Sequence, residues 1–247
     1  MNRNDQRLHD ELRPVEMNLG IQSYAEGSVL IKSGDTHVIC SASVEESVPN
    51  FLKDQNKGWI TAEYNMLPRA TLTRTRRENI KKGRTHEIQR LIGRCLRTSV
   101  DLNSIGERSI LIDCDVIQAD GGTRTSAITG AFIALWDACK WLEDCGAIKK
   151  VPIETNVAAI SVGVVGGSLM LDLSYEEDSK ADVDMNIVMA GDGRFIELQG
   201  TAEENPFSKG ELDQMVEFGT VGVGDLVRLQ NRLIDEGLDE ASIGDAQ

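Results

Sequence analysis

The 247-residue chain is poor in aromatic residues, at 4%, and has only five prolines and three histidines. Its core must therefore rest on Val, Ile, Leu, Ala and Met. No apolar run reaches the roughly 20 residues that cross a bilayer. The N-terminus, MNRNDQRLHDELRP, is polar from its first residues. Neither a membrane span nor a secretory leader is expected. The five cysteines include no C-x-x-C pair, and His9, His37 and His86 show no ligand spacing to one another or to the cysteines, which argues against zinc. All but Cys145 lie in apolar or alternating segments, so buried free thiols in a reducing cytoplasm are expected. No internal repeat is visible. At 40% hydrophobic, the chain still holds enough apolar material for a globular core.

Basic charge is also scarce. Lys and Arg number 26 against 40 Asp and Glu, for a net charge of -14. That balance excludes a non-specific coat for nucleic acid. The deficit is unevenly spread, however. Met66 to Thr98 carries ten basic and two acidic residues, a local +8 that leaves -22 for the rest. Arg69 to Lys82, with Arg69, Arg74, Arg76 and Arg77, has no clean period and reads as an exposed loop. Such segregation suits a footprint for a polyanion; the bland reading is a solvated basic loop.

The most informative stretch is Gln118-Ala-Asp-Gly-Gly-Thr-Arg-Thr-Ser126. It joins an alternating strand, Arg108 to Ile117, to an apolar helix, Ala127 to Leu142. Gly121 and Gly122 permit a tight turn that exposes backbone N–H groups. Thr123 and Thr125 are candidate caps, and Arg124 offers a planar fork that matches phosphate. A helix start adds unpaired N–H groups and a positive dipole end. The pattern therefore describes an anion site, although an ordinary strand-to-helix turn would share its outline.

The remaining elements read as follows. Ser28 to Lys32 and His37 to Ser43 form a hairpin across Ser33-Gly34-Asp35. Gly58 to Tyr64 is a short strand. Thr85 to Leu102 is an amphipathic helix, with Arg84 just before it and Arg90, Arg94 and Arg97 on one face. His86, at its start, reads as a local hydrogen-bonding residue. Asn156 to Val165 and Ser168 to Ser174 form a second hairpin, followed by an acidic turn and strands at Val183 to Ala190 and Arg194 to Gln199. A final helix runs from a capping box at Ser208 and Glu211 to Gly237, weakened or split at Gly219, Gly222 and Gly224. Beyond it, residues 241–247 read as a loose acidic tail. One domain over residues 1–240 and an α+β fold with mixed sheets packed against helices are expected.

Asp178, Asp182 and Asp184 gather at the entry to the strand Val183 to Ala190. Asp182 and Asp184 share a face, and Asp178 can return to them across the turn. Hard carboxylates beside a phosphate site suit Mg²⁺. One of them could instead act as a general acid. A solvated acidic turn is the bland alternative.

Several long motifs resemble the bacterial ribonuclease PH family. They are R-x-H-D-E-L-R-P (Arg7 to Pro14), G-W-I-T-A-E-Y-x-M-L-P-R-A (Gly58 to Ala70), G-R-T-x-E-I-Q-R-L-I-G-R (Gly83 to Arg94), D-C-D-V-I-Q-A-D-G-G-T-R-T (Asp113 to Thr125), Y-E-E-D-S (Tyr175 to Ser179) and V-D-M-N (Val183 to Asn186). The resemblance implies the fold of ribosomal protein S5 domain 2. It also implies a phosphate-dependent 3′-to-5′ exoribonuclease that trims tRNA precursors, and rRNA precursors as well, releasing nucleoside diphosphates reversibly. Arg84, Gly122, Thr123 and Arg124 match its phosphate-binding positions. Asp178 and Asp184 match its catalytic and metal positions, for Mg²⁺ or Mn²⁺. Arg69, Arg74, Arg76 and Arg77 match its RNA-binding loop. A cytoplasmic homohexamer, a trimer of dimers, is implied too. His86 stands where the family more often has Met or Gln.

Two other functions compete. A ring subunit that only binds RNA would be expected to lack Arg84, Arg124 or the aspartates, which are all present. A metal-dependent hydrolase would have no use for two arginines and a glycine turn, because water needs no anion site.

Overall fold

A computed structural model describes residues 3–76, 83–203, 206–237 and 239–244. Strands β1 (Val15–Leu19), β2 (Gly27–Ser33) and β3 (Thr36–Glu45) form an antiparallel meander, with the expected turn at Gly34. Next come β4 (Trp59–Met66), α1 (Gly83–Arg97), α2 (Leu102–Ile105) and β5 (Ser109–Gln118). β5 returns between β3 and β4, antiparallel to one and parallel to the other. α3 (Thr123–Asp144) leads into a second, antiparallel set made of β6 (Val157–Val165), β7 (Ser168–Leu171), α4 (Tyr175–Asp178), β8 (Ala181–Ala190) and β9 (Phe195–Ala202). α5 (Lys209–Glu236) and β10 (Glu240–Ile243) follow. The sheet orders are β10-β1-β2-β3-β5-β4 and β7-β6-β8-β9, an α+β arrangement with one parallel pair.

α3 is the centre of the packing. Its residues from Thr125 to Leu135 are all buried, and it lies against β2, β3, β5 and β6. A helix that is apolar on nearly every side can only be stable between two layers. One apolar cluster runs through both sheets and helices α1, α3 and α5. Each fully buried aliphatic side chain in it contributes about 1.5–3 kcal/mol. Cys40, Cys95, Cys114 and Cys139 are buried free thiols and Cys145 is exposed, as the sequence suggested.

Several elements differ from expectation. α1 starts at Gly83, which puts Arg84 inside its first turn, and it stops at Arg97. The chain breaks there because Asp101 caps a new helix, accepting from Asn103 N–H at 3.1 Å and Ser104 Oγ at 2.5 Å. α3 starts at Thr123, directly after Gly122. α5 is one unbroken helix through its glycines. Close approach to the sheet explains two of them. A Cβ on Gly219 would stand 2.3 Å from Ile187 Cδ1, and one on Gly222 would stand 2.9 Å from Leu171 Cδ1. The tail is also not loose from residue 241, because Glu240–Ile243 pairs with the open edge of β1 and buries Ala241.

Candidate active site

The glycine turn is held by three hydrogen bonds from two side chains. Thr36 Oγ1 donates to the Gly121 carbonyl at 2.6 Å and accepts from Asp120 N–H at 2.8 Å. The Arg13 guanidinium donates to the Asp120 carbonyl. Gly121 and Gly122 both have left-handed backbones, with φ of 73° and 62°. At Gly121 a side chain is also excluded by space, since a Cβ would stand 2.4 Å from the Leu173 carbonyl oxygen. The turn is thus pressed against the segment that starts α4. Gly121→Ala is expected to lower stability by about 1–3 kcal/mol or more and to reduce activity with it, measured by thermal melting beside turnover. An unchanged melting curve would contradict the close packing.

The two threonines do not cap α3. Thr123 Oγ1 accepts the Tyr64 hydroxyl at 2.9 Å, and Thr125 Oγ1 donates back to the Gly122 carbonyl at 2.8 Å. Gly122 occupies the N-cap without a side-chain hydrogen bond. The first N–H groups of α3 therefore meet the turn uncapped, beside the positive end of a long helix. This departs from the expected capping and leaves the end better suited to an external anion.

α4 replaces the expected acidic turn. At four residues it is too short to show a period, yet the capping pattern Ser174-x-x-Glu177 was present. Ser174 N–H donates to Glu177 at 2.9 Å, and Tyr175 N–H donates to Asp120 Oδ1 at 3.1 Å, linking α4 to the glycine turn. Arg3 grips Glu177 with a two-point fork at 2.8 and 2.7 Å. Arg13 does the same to Asp172 at 3.0 and 2.7 Å. Burial alone would push the Asp172 carboxyl up; the Arg13 charge and hydrogen bonds outweigh it and hold it below its usual value. Removing either partner of such a buried pair costs about 3–5 kcal/mol. Asp172 also has a left-handed φ of 52°, uncommon for a residue with a side chain.

Asp178 ends α4 and Asp184 lies on β8. Burial raises both carboxyl pKa values, and Asp184, which also feels the Asp178 charge, is pushed up to about 6. Arg84 and Arg124 pull both values down. The same two arginines act on Tyr64, whose hydroxyl is raised to about 12 chiefly by burial. Arg84, Arg124, Asp178 and Asp184 therefore share one neighbourhood, although they come from α1, α3, α4 and β8. Sequence reading missed Tyr64, which steadies Thr123, and Glu203, which adds a further negative charge near both aspartates. It also missed the roles of Arg3, Arg13 and Asp172.

No group of three or more His, Cys, Asp or Glu that could hold an ion occurs among the described residues. The half-buried Asp184 and the exposed Asp178 still fit Mg²⁺, which takes one or two protein ligands and completes its shell with water and substrate phosphate. A cavity of about 380 Å³ between β4 and α1, lined by Trp59, Arg90, Arg94 and Arg97 among others, includes none of the expected site residues.

The basic loop is exposed at Arg69, Arg74 and Arg76, while Arg77 lies outside the described residues. Its stem is tied to the glycine turn, because Ala119 N–H donates to the Ala70 carbonyl at 2.8 Å. His86 is exposed and its ring sits 3.0 Å from Gln89 Oε1, a local contact as expected. Replacing Arg74 and Arg76 by Ala should weaken tRNA binding most at low salt. It should also flatten the dependence of log affinity on log salt by about one unit per arginine. An unchanged slope would exclude phosphate contacts at these positions.

Comparisons with known proteins show the family and the fold. The chain matches the 3′ exoribonuclease family, domain 1 over residues 11–140 and domain 2 over residues 155–222. It is 56% identical to ribonuclease PH of Solibacter usitatus, covering 94% of this chain and 99% of that one. It is 54% identical to ribonuclease PH of Syntrophomonas wolfei, covering 95% and 99%. In structure it resembles rice Rrp46, with a TM-score of 0.76 at 19% identity over 93% of this chain and 98% of that one. It also resembles a chain of the Archaeoglobus fulgidus exosome with RNA bound to the active site, with a TM-score of 0.78 at 23% identity over 91% of each. By sequence over nearly its whole length, the chain belongs to the 3′ exoribonuclease family, in its ribonuclease PH branch.

Proposed function

We propose that this phosphorolytic 3′-to-5′ exoribonuclease trims the 3′ ends of tRNA precursors, with rRNA precursors as further substrates, and that its phosphate is held by Arg84, Gly122, Thr123 and Arg124. The observation that carries the reading is that Arg84 and Arg124 act on the same two aspartates from different helices. One oxygen of the bound phosphate attacks the phosphorus of the terminal nucleotide. The 3′ oxygen of the preceding nucleotide leaves, and a nucleoside diphosphate is released. The two guanidiniums and the N–H groups at the start of α3 lessen the repulsion between the anions and aim the attacking oxygen. Asp178 and Asp184 would ligate Mg²⁺ or Mn²⁺, which when bound supplies positive charge between the two phosphates, with Asp184 the more critical ligand. Arg69, Arg74, Arg76 and Arg77 grip the tRNA body through its phosphates, which sets affinity rather than sequence preference.

The two halves of the chain act as one catalytic unit in this reading, since the arginines come from the first half and the aspartates from the second. Six copies assemble as a trimer of dimers in the cytoplasm, a reading supported by the likeness to chains of multi-subunit exosomes. No helix among the described residues is long and apolar enough to cross a membrane. Incubation with a short RNA tests the chemistry. Nucleoside diphosphates should form only when phosphate is added. Monophosphates formed in its absence would instead mark a hydrolase.

A further inference from the structure

Arg124 is held by two side chains that the phosphate reading does not use. Its Nη1 donates to Gln199 Oε1 on β9, and it lies 3.7 Å from Glu87 Oε1 on α1. Gln199 Nε2 in turn donates to Glu87 Oε1 at 3.4 Å. The Arg124 side chain is 13% exposed, whereas Glu87 is 55% exposed. Glu87 is therefore a weak, screened partner, and the Gln199 amide is the firmer anchor.

The position of Gln199 on the sheet supports a specific role. It lies opposite Asn186, and Thr201, two residues on, lies opposite Asp184. Alternation places Gln199 on the same face as the aspartate, beside the reacting groups. On that face of β9, Glu197 forms an ion pair with Arg94 at 2.5 Å, and just past the end of the strand Glu203 adds negative charge near Asp178 and Asp184. Carboxylates thus stand at 197 on the strand and at 203 just beyond it, but an amide stands where the strand meets Arg124.

The chemistry of that choice is clear. A carboxylate at 199 would orient the guanidinium equally well but would neutralise it, and would compete with phosphate for the same fork. An amide oxygen accepts one N–H and leaves the positive charge intact. We infer that Gln199 is a positioning residue for Arg124, set to aim the arginine while keeping its charge available to inorganic phosphate. The inference rests on the reading of Arg124 as a phosphate ligand.

Rates of nucleoside diphosphate release from a short RNA, followed across a phosphate series with the full chain, test it. Gln199→Glu keeps the size and shape of the side chain. It should raise the KM for phosphate about tenfold or more, as a charged partner replaces a neutral one. RNA affinity in a filter assay and the melting temperature should stay near those of the parent. Gln199→Met keeps the length and removes the acceptor, and should raise the KM less. An unchanged KM in Gln199→Glu would show that the neutrality of residue 199 does not matter, and a larger effect of Met than of Glu would show that the acceptor matters more than its charge; either result overturns the inference. Arg124→Ala is measured alongside. If it leaves the phosphate KM unchanged, the phosphate reading fails together with the inference. If it raises the KM while Gln199→Glu does not, only the role of Gln199 fails.

Discussion

Asp184→Asn is expected to abolish RNA trimming and, at the same time, to stabilise the folded chain at neutral pH. The two effects share one cause. Burial and the neighbouring Asp178 charge raise the Asp184 carboxyl from its usual value of 3.8 to about 6. Above pH 6 the group is ionised in a setting that disfavours the charge, and with no metal bound this costs about 3 kcal/mol. Between the unfolded and folded values the native state binds the extra proton, so the stability of the parent falls as pH rises through that window. Melting in a chelating buffer should show the variant more stable than the parent near pH 7.5, with the gap closing toward pH 4. Turnover should fall by about 10²- to 10³-fold, because the proposed metal, which would supply positive charge to the reacting phosphates, would lose its more critical ligand. Retained activity at saturating Mg²⁺ would remove Asp184 from the chemistry. A variant no more stable than the parent at pH 7.5 would remove the strained carboxylate.

The second large effect is expected of Arg124→Ala. It should lower kcat/KM for phosphate by about 10²- to 10³-fold, since the proposed site holds this group preorganised beside the reacting anions. The arginine sits at the buried start of α3, whereas the expected RNA grip lies on the exposed loop at Arg69, Arg74 and Arg76. tRNA binding in a filter assay should therefore persist. A comparable loss of RNA binding would mean that the two anion sites are one.

The residues around the glycine turn were legible because their chemistry is contiguous: strand, two glycines, hydroxyls, arginine and helix follow one another. Long elements with a clear period, such as α1 and α3, were legible for the same local reason. What was hidden depends on distant parts of the chain. Nothing near Val15–Leu19 announces that Glu240–Ile243 will complete its edge. Arg3 meets Glu177, and Arg13 meets Asp172, across more than a hundred and fifty residues. These buried pairs bring the N-terminal segment under both the glycine turn and α4. The glycines of α5 looked like weak points by propensity, but at Gly219 and Gly222 the sheet packs too closely for a side chain. The threonines looked like caps, yet Tyr64 and the Gly122 carbonyl engage them.

A structure of the chain soaked with inorganic phosphate is the most direct test of the central claim. It should show one anion accepting hydrogen bonds from Arg84, from Arg124 and from the first N–H groups of α3, next to Asp178 and Asp184. An anion bound elsewhere, with Arg84 and Arg124 turned away from each other, would contradict it.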